Sequence, residues 1–167
     1  MFSTKFVSAT RDYSTFEKMV PAPYLRKSFE IGALPAAASV TICGLGFYEL
    51  YVNGTRITKG LLAPYISNPD DILYYDRYDV KPLLKTGRNV IAILLGNGML
   101  NCPGGDIWDF QLARFRSAPK VALCYEAESA DGEKTIDEAA KDLLDHTREE
   151  TQEALVNLEE YVNMVDS

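Results

Sequence analysis

Imidazole and thiolate chemistry have little to draw on in this chain, whose 167 residues include one histidine, His146, and three cysteines, Cys43, Cys102 and Cys124. The histidine sits in an acidic stretch, where a solvated ring is the ordinary role. The cysteines are odd in number and lack metal-ligand spacing, so reduced thiols are expected. Cys102, beside Pro103, has no histidine within sequence reach to act as its base, which argues against a thiol nucleophile. No stretch approaches the ~20 apolar residues that a membrane-spanning helix needs. Residues 1–6 carry no apolar core of a secretory signal, so the expected setting is cytoplasmic, without a membrane partner.

Excess positive charge is also missing. The net charge is −7, and it is uneven. Residues 137–167 hold ten acids and two bases, which gives −8, and residues 1–136 hold the remaining 14 acids and 15 bases, which gives +1. A body without a basic stripe is a poor fit to nucleic acid.

What the chain does have is a series of short β-favouring runs separated by turn residues. The central one is 47–52, Phe-Tyr-Glu-Leu-Tyr-Val, which places Tyr48, Leu50 and Val52 on one face and Phe47, Glu49 and Tyr51 on the other. It ends in Asn53-Gly54, the pair that most readily takes positive φ at both corners of a type I′ turn, with 55–57 as the returning strand. A second Asn-Gly, Asn97-Gly98, follows the apolar run 90–95, whose unbroken character predicts burial on both faces. These two strands are expected to form the middle of a β-sandwich.

Further strands are read at 24–31, 39–43, 72–78 and 120–127, the last with Val121, Leu123 and Tyr125 on one face. Asp79 is a plausible cap for a short helical turn over 80–85, and Asp131-Gly132 a tight turn after the final strand. Pro21 and Pro23 close an irregular lead-in, and Pro64, Asn68 and Pro69 break residues 61–71. Together these give an all-β, jelly-roll-like antiparallel sandwich over residues 1–136.

From residue 137 the character changes. Apolar residues from Ala140 to Val165 recur at helical spacing with acids opposite, and Thr135 with Glu138 fits a capping box. Residues 137–167 are therefore read as an acidic amphipathic helical tail. Its stripe must cover the sandwich, a partner or a second copy.

The motifs Gly-Leu-Gly-Phe-Tyr-Glu-Leu-Tyr-Val-Asn-Gly (44–54), Leu-Ala-Pro-Tyr (62–65), Leu-Tyr-Tyr-Asp-Arg-Tyr-Asp-Val (73–80), Leu-Leu-Gly-Asn-Gly (94–98), Trp-Asp-Phe (108–110) and Arg-Ser-Ala-Pro-Lys (116–120) resemble the N-terminal domain of bacterial α-L-rhamnosidases. The likeness covers roughly residues 20–136. It implies a jelly-roll sandwich that precedes a separate (α/α)₆ barrel bearing the catalytic carboxylates. Related modules bind rhamnose with calcium, so sugar recognition is the implied role. Two departures stand out. The acidic tail replaces further β-structure and the barrel, and Val52 stands before Asn53 where a calcium-binding relative would offer an acid. Calcium would have to rely on oxygens of Asn53, Asn97 and the 101–106 backbone, and no cofactor is expected.

Glycoside hydrolysis needs two carboxyl groups about 5–9.5 Å apart. Asp70/Asp71, Asp76/Asp79 and Asp106/Asp109 are the candidate pairs, but turn formers surround them, and capping or solvation is the expected role. A sugar site needs an aromatic face and planar polar groups. Asn53, Tyr65, Asn97, Asn101, Asp106 and Trp108 supply both if their loops meet at one end, although Asn53 and Asn97 are equally explained by turn geometry and Trp108 by a cap on the core. The reading is a non-catalytic accessory domain that assists binding of a rhamnose-containing glycan. The alternatives are a fragment or subunit that needs a separate catalytic barrel, and a purely structural or dimerising domain.

Overall fold

The computed structural model describes residues 6–103, Leu112, Arg114 and residues 116–137. Two four-stranded antiparallel sheets stack on one another. The first runs in the order β1 (Tyr24–Ile31), β6 (Gly87–Gly96), β3 (Phe47–Val52), β4 (Thr55–Arg56), and the second in the order β5 (Asp76–Asp79), β2 (Ala37–Leu45), β7 (Lys120–Glu128), β8 (Lys134–Asp137). The expected sandwich is present, and β3 and β6 are the two inner strands of the first sheet.

Side-chain alternation builds the core. Tyr48, Leu50 and Val52 of β3 and Ile91, Ile93 and Leu95 of β6 point inward and are buried. They face Val40 and Ile42 of β2 and Val121, Leu123 and Tyr125 of β7. Each such aliphatic side chain, taken out of water, contributes about 1.5–3 kcal/mol before the entropy of ordering it. Two contacts fix how the layers overlap. Tyr48 of β3 lies 3.0 Å from the Tyr78 hydroxyl of β5, and Phe29 of β1 meets Tyr125 of β7 with ring centroids 5.1 Å apart. β7 therefore stacks over β1, and β8 lies beyond the β1 edge.

The chain passes between layers at a single residue. β2 ends at Leu45 in the second sheet, β3 begins at Phe47 in the first, and Gly46 between them takes φ +94°. Only glycine accepts that dihedral readily. Asn53 and Gly54 both adopt positive φ, 49° and 81°, as the type I′ turn between β3 and β4 requires.

Several expectations are corrected. Residues 72–75 are not strand, and β5 begins only at Asp76. The short helix over 80–85 is a 3₁₀ turn, Lys81–Leu83, whose N-cap is Val80 without a side-chain cap bond; Asp79, expected as the cap, stands one residue earlier, and its carboxylate accepts the Lys81 N–H at 3.1 Å. β6 is buried on one face; Val90, Ala92 and Leu94 on the other are half-exposed. After β6 the Asn97-Gly98 pair enters a turn, in which Asn101 N–H donates to Asn97 O at 3.2 Å.

At the other end of the domain, Thr135 is no helix cap. It pairs with Ala127 within β8, which runs through Asp137. The lead-in also joins the second sheet, where Val7 and Val121 exchange both backbone hydrogen bonds at 2.9 Å. The helical tail falls outside the described residues.

Candidate functional site

Antiparallel pairing decides where the two Asn-Gly corners go. Phe47 lies opposite Gly96 and Val52 opposite Ile91, so Asn53 follows one end of the β3–β6 ladder and Asn97 the other. At ~3.3 Å per strand residue they are about 20 Å apart. The common rim expected from the sequence does not form. Asn53 sits at one pole, while Tyr65, Asn97 and Asn101 collect at the opposite one. Asp106 and Trp108 lie outside the described residues.

Asn53 is committed to the fold. Its Nδ2 donates to Leu83 O and to Asn89 Oδ1, both at 2.8 Å, and its Oδ1 accepts the Val90 N–H at 2.9 Å. Asn89 is fully buried and in turn clamps the 85–87 bend through Lys85 and Gly87. At the far pole, Asn97 donates to Val20 O and accepts from Asn101 Nδ2, while Asn101, fully buried, accepts the Ser14 N–H at 2.6 Å. These two amides brace the lead-in against the 97–101 turn, and their side chains are spent on that brace.

Between Gly46, the 64–70 loop and Gly98 the same pole opens a cavity of about 560 Å³. Its walls are unlike. Leu45, Phe47 and Met99 form an apolar side, and Asn68, Asp70 and Arg114 bring polar groups. The Tyr65 ring stands at the cavity, 85% exposed. Glycine makes the approach possible: a Cβ on Gly98 would come within 3.2 Å of the Phe47 ring, and one on Gly46 within 2.4 Å of Gly96 O. Asn68 holds the loop, its Nδ2 donating to Asp71 at 2.6 Å and its Oδ1 accepting the Asp70 N–H. Of the residues expected at a sugar site, Tyr65 alone among those described lines this cavity. The sequence reading missed Phe47, Asn68 and Met99, and the only hint of them was the density of glycine around 44–46 and 96–98.

Beside the cavity, the backbone of Tyr48 bridges to Ala63, and its hydroxyl donates to Asp76 and meets Tyr78. Burial first, then these hydrogen bonds, holds the Tyr48 phenol far above its usual range. Burial also raises Tyr78, and it pushes the Cys43 thiol up to about 11 with the Asp76 charge adding to it. Asp76, Asp79 and Asp71 thus serve a tyrosine, a turn and a loop. Among the described residues no group of three acid, histidine or cysteine side chains could hold a metal ion. Asn53 and Asn97, placed at opposite poles, cannot share one, so calcium bridging them does not fit this structure. No helix of the described residues is long and apolar enough to cross a membrane.

The class is that of an antiparallel β-sandwich domain with a loop-built cavity at one end of its sheets. The family model for the α-L-rhamnosidase N-terminal domain matches residues 34–153, and the chain belongs to that family. An α-L-rhamnosidase of Formosa agariphila is 40% identical over 77 residues, 46% of this chain and 8% of the relative. Among solved structures, the α-L-rhamnosidase from Dictyoglumus thermophilum aligns with a TM-score of 0.63 at 29% identity, over 79% of this chain and 15% of that one. The Aspergillus terreus enzyme shares the fold with a TM-score of 0.68 at 23% identity, over the same shares. The chain therefore spans about a tenth of the length of the relatives it matches.

Proposed function

We propose that this chain is a non-catalytic accessory domain that holds a rhamnose-containing glycan in the cavity at the Gly46 pole and works beside a separate catalytic domain. The observation that carries the reading is the cavity's make-up, with an exposed Tyr65 ring, an apolar wall and a polar loop converging on one concave space. A deoxy sugar presents an apolar C–H face and a methyl group together with several hydroxyls, and such a two-sided wall suits both. Membership of the rhamnosidase N-terminal family supports the choice of sugar.

Calorimetric titration of the full chain with L-rhamnose tests the proposal. Saturable binding that Tyr65→Ser removes is the expected result, and no heat at high millimolar sugar contradicts it. An aryl α-L-rhamnoside incubated with the chain should release no aryl alcohol, and turnover would overthrow the non-catalytic part.

A further inference from the structure

The fold accounts for every acid between residues 70 and 79 but one. Asp71 accepts from Asn68 Nδ2, Asp76 from the Tyr48 hydroxyl and Asp79 from the Lys81 N–H. Asp70 is left over. Its backbone is held, because Asn68 accepts the Asp70 N–H on its side chain and the Asp71 and Ile72 N–H groups on its carbonyl. Its carboxylate has no hydrogen-bond or ion-pair partner among the described residues. Arg114 repeats the pattern, with a guanidinium that no described residue engages. Both side chains line the cavity at the Gly46 pole, and they do not pair with each other. One concave space therefore holds a free acceptor of hydroxyl protons and a free donor to hydroxyl oxygens.

We infer that Asp70 and Arg114 are the specificity-determining pair of this cavity, and that they read two adjacent free hydroxyls of a deoxy sugar. The inference rests on the sugar-binding reading above and adds which atoms of the sugar are recognised. An ionised carboxylate only accepts and a guanidinium only donates. Adjacent ring hydroxyls can each give a proton to one Asp70 oxygen, and their own oxygens can take N–H groups of Arg114. Such charge-assisted bonds are about twice as strong as neutral ones. The Asn68 clamp fixes the Asp70 backbone beforehand, so less ordering is needed on binding. The methyl group of the sugar is left for the apolar side, Leu45, Phe47 and Met99. In a rhamnoside, whose anomeric oxygen is tied up in the glycosidic bond, the free hydroxyls stand on C2, C3 and C4. Both adjacent pairs contain the C3 hydroxyl, so that is the group Asp70 must read.

Calorimetric titration of the full chain with methyl α-L-rhamnoside and with its 3-deoxy analogue tests this. The parent should bind the rhamnoside about tenfold more tightly than the analogue. Asp70→Asn should lose that preference and bind both sugars alike, with the affinity the parent shows for the analogue. Arg114→Gln should weaken the rhamnoside about tenfold. Urea midpoints of both variants should match the parent, because neither side chain has a partner in the described fold. A lowered midpoint would reveal a structural role and overturn the inference. A parent that binds both sugars equally, an Asp70→Asn variant that still prefers the rhamnoside, or an Arg114→Gln variant of unchanged affinity also overturns it, and leaves the sugar-binding reading standing. A parent that binds neither sugar overturns both.

Discussion

Gly46 and Gly96 meet so closely that a methyl group on Gly46 would stand 2.4 Å from the Gly96 carbonyl oxygen. This is the point at which the chain changes sheets, and both the layer crossing and the cavity rim depend on it. Gly46→Ala must therefore accept positive φ, which costs about 1–2 kcal/mol, and also push a backbone away. Gly54→Ala at φ +81° has nothing within 4 Å of its added methyl and bears the dihedral cost alone. In urea unfolding, Gly46→Ala should lose roughly 3 kcal/mol or more and Gly54→Ala about 1 kcal/mol. Equal losses would show that the close approach is not what glycine serves there.

Asn53 offers the complementary test. Asn53→Gly keeps the positive φ and removes only the amide, with its bonds to Leu83, Asn89 and Val90. At about 0.5–1.5 kcal/mol per hydrogen bond, with the Val90 N–H losing its Asn53 acceptor, stability should fall by about 2–3 kcal/mol. Rhamnose affinity should not change, because the residue stands at the far pole. A variant of full stability with lost sugar binding would reverse the assignment.

Much of this fold was legible in the residues, because alternation and turn chemistry are local. The bounds of β1 and β3 follow from their β-favouring runs, and Asn53-Gly54 turns as that pair should. The placement of Asn97 was not legible, since it rests on which strands pair. Once β3 and β6 are antiparallel neighbours, their C-terminal ends must point to opposite poles, and two corners that look alike in sequence cannot share a rim. The unbroken apolar run of β6 read as two-sided burial, and the described residues supply only one of the two covers. Residues 72–75 have strand-like composition, but pairing with β2 begins only where Asp76 meets Ile42. The cavity stayed hidden for a similar reason. Phe47, Asn68 and Met99 are unremarkable in sequence, and only the Gly46 crossing and the turn at Gly98 bring them together.

The hydrogen-bonded pair of buried Tyr48 and half-buried Tyr78 predicts an alkaline limit. In the unfolded chain tyrosine ionises near pH 10, whereas burial and the Asp76 hydrogen bond keep Tyr48 protonated well above that. The folded state then binds more protons than the unfolded one, so stability is intact below pH 10 and falls as pH rises beyond it. Cys43, raised from 9.0 to about 11, adds a loss that begins near pH 9. Urea midpoints measured from pH 7 to 11.5 should be flat at first and then fall. Tyr48→Phe should cost about 1–2 kcal/mol at pH 7 through its lost hydrogen bonds and should shallow the alkaline slope. An unchanged slope in that variant would mean that other groups set the limit.

The central claim is that the cavity beside Gly46 receives the sugar. Backbone amide shifts of the isotope-labelled full chain, followed by NMR during titration with L-rhamnose, test it most directly. The account predicts saturable shifts at Gly46, Tyr65, Asn68 and Gly98, with Asn53, Gly54 and Asn89 unmoved. Shifts confined to the Asn53 pole, or none anywhere at high millimolar rhamnose, would contradict it.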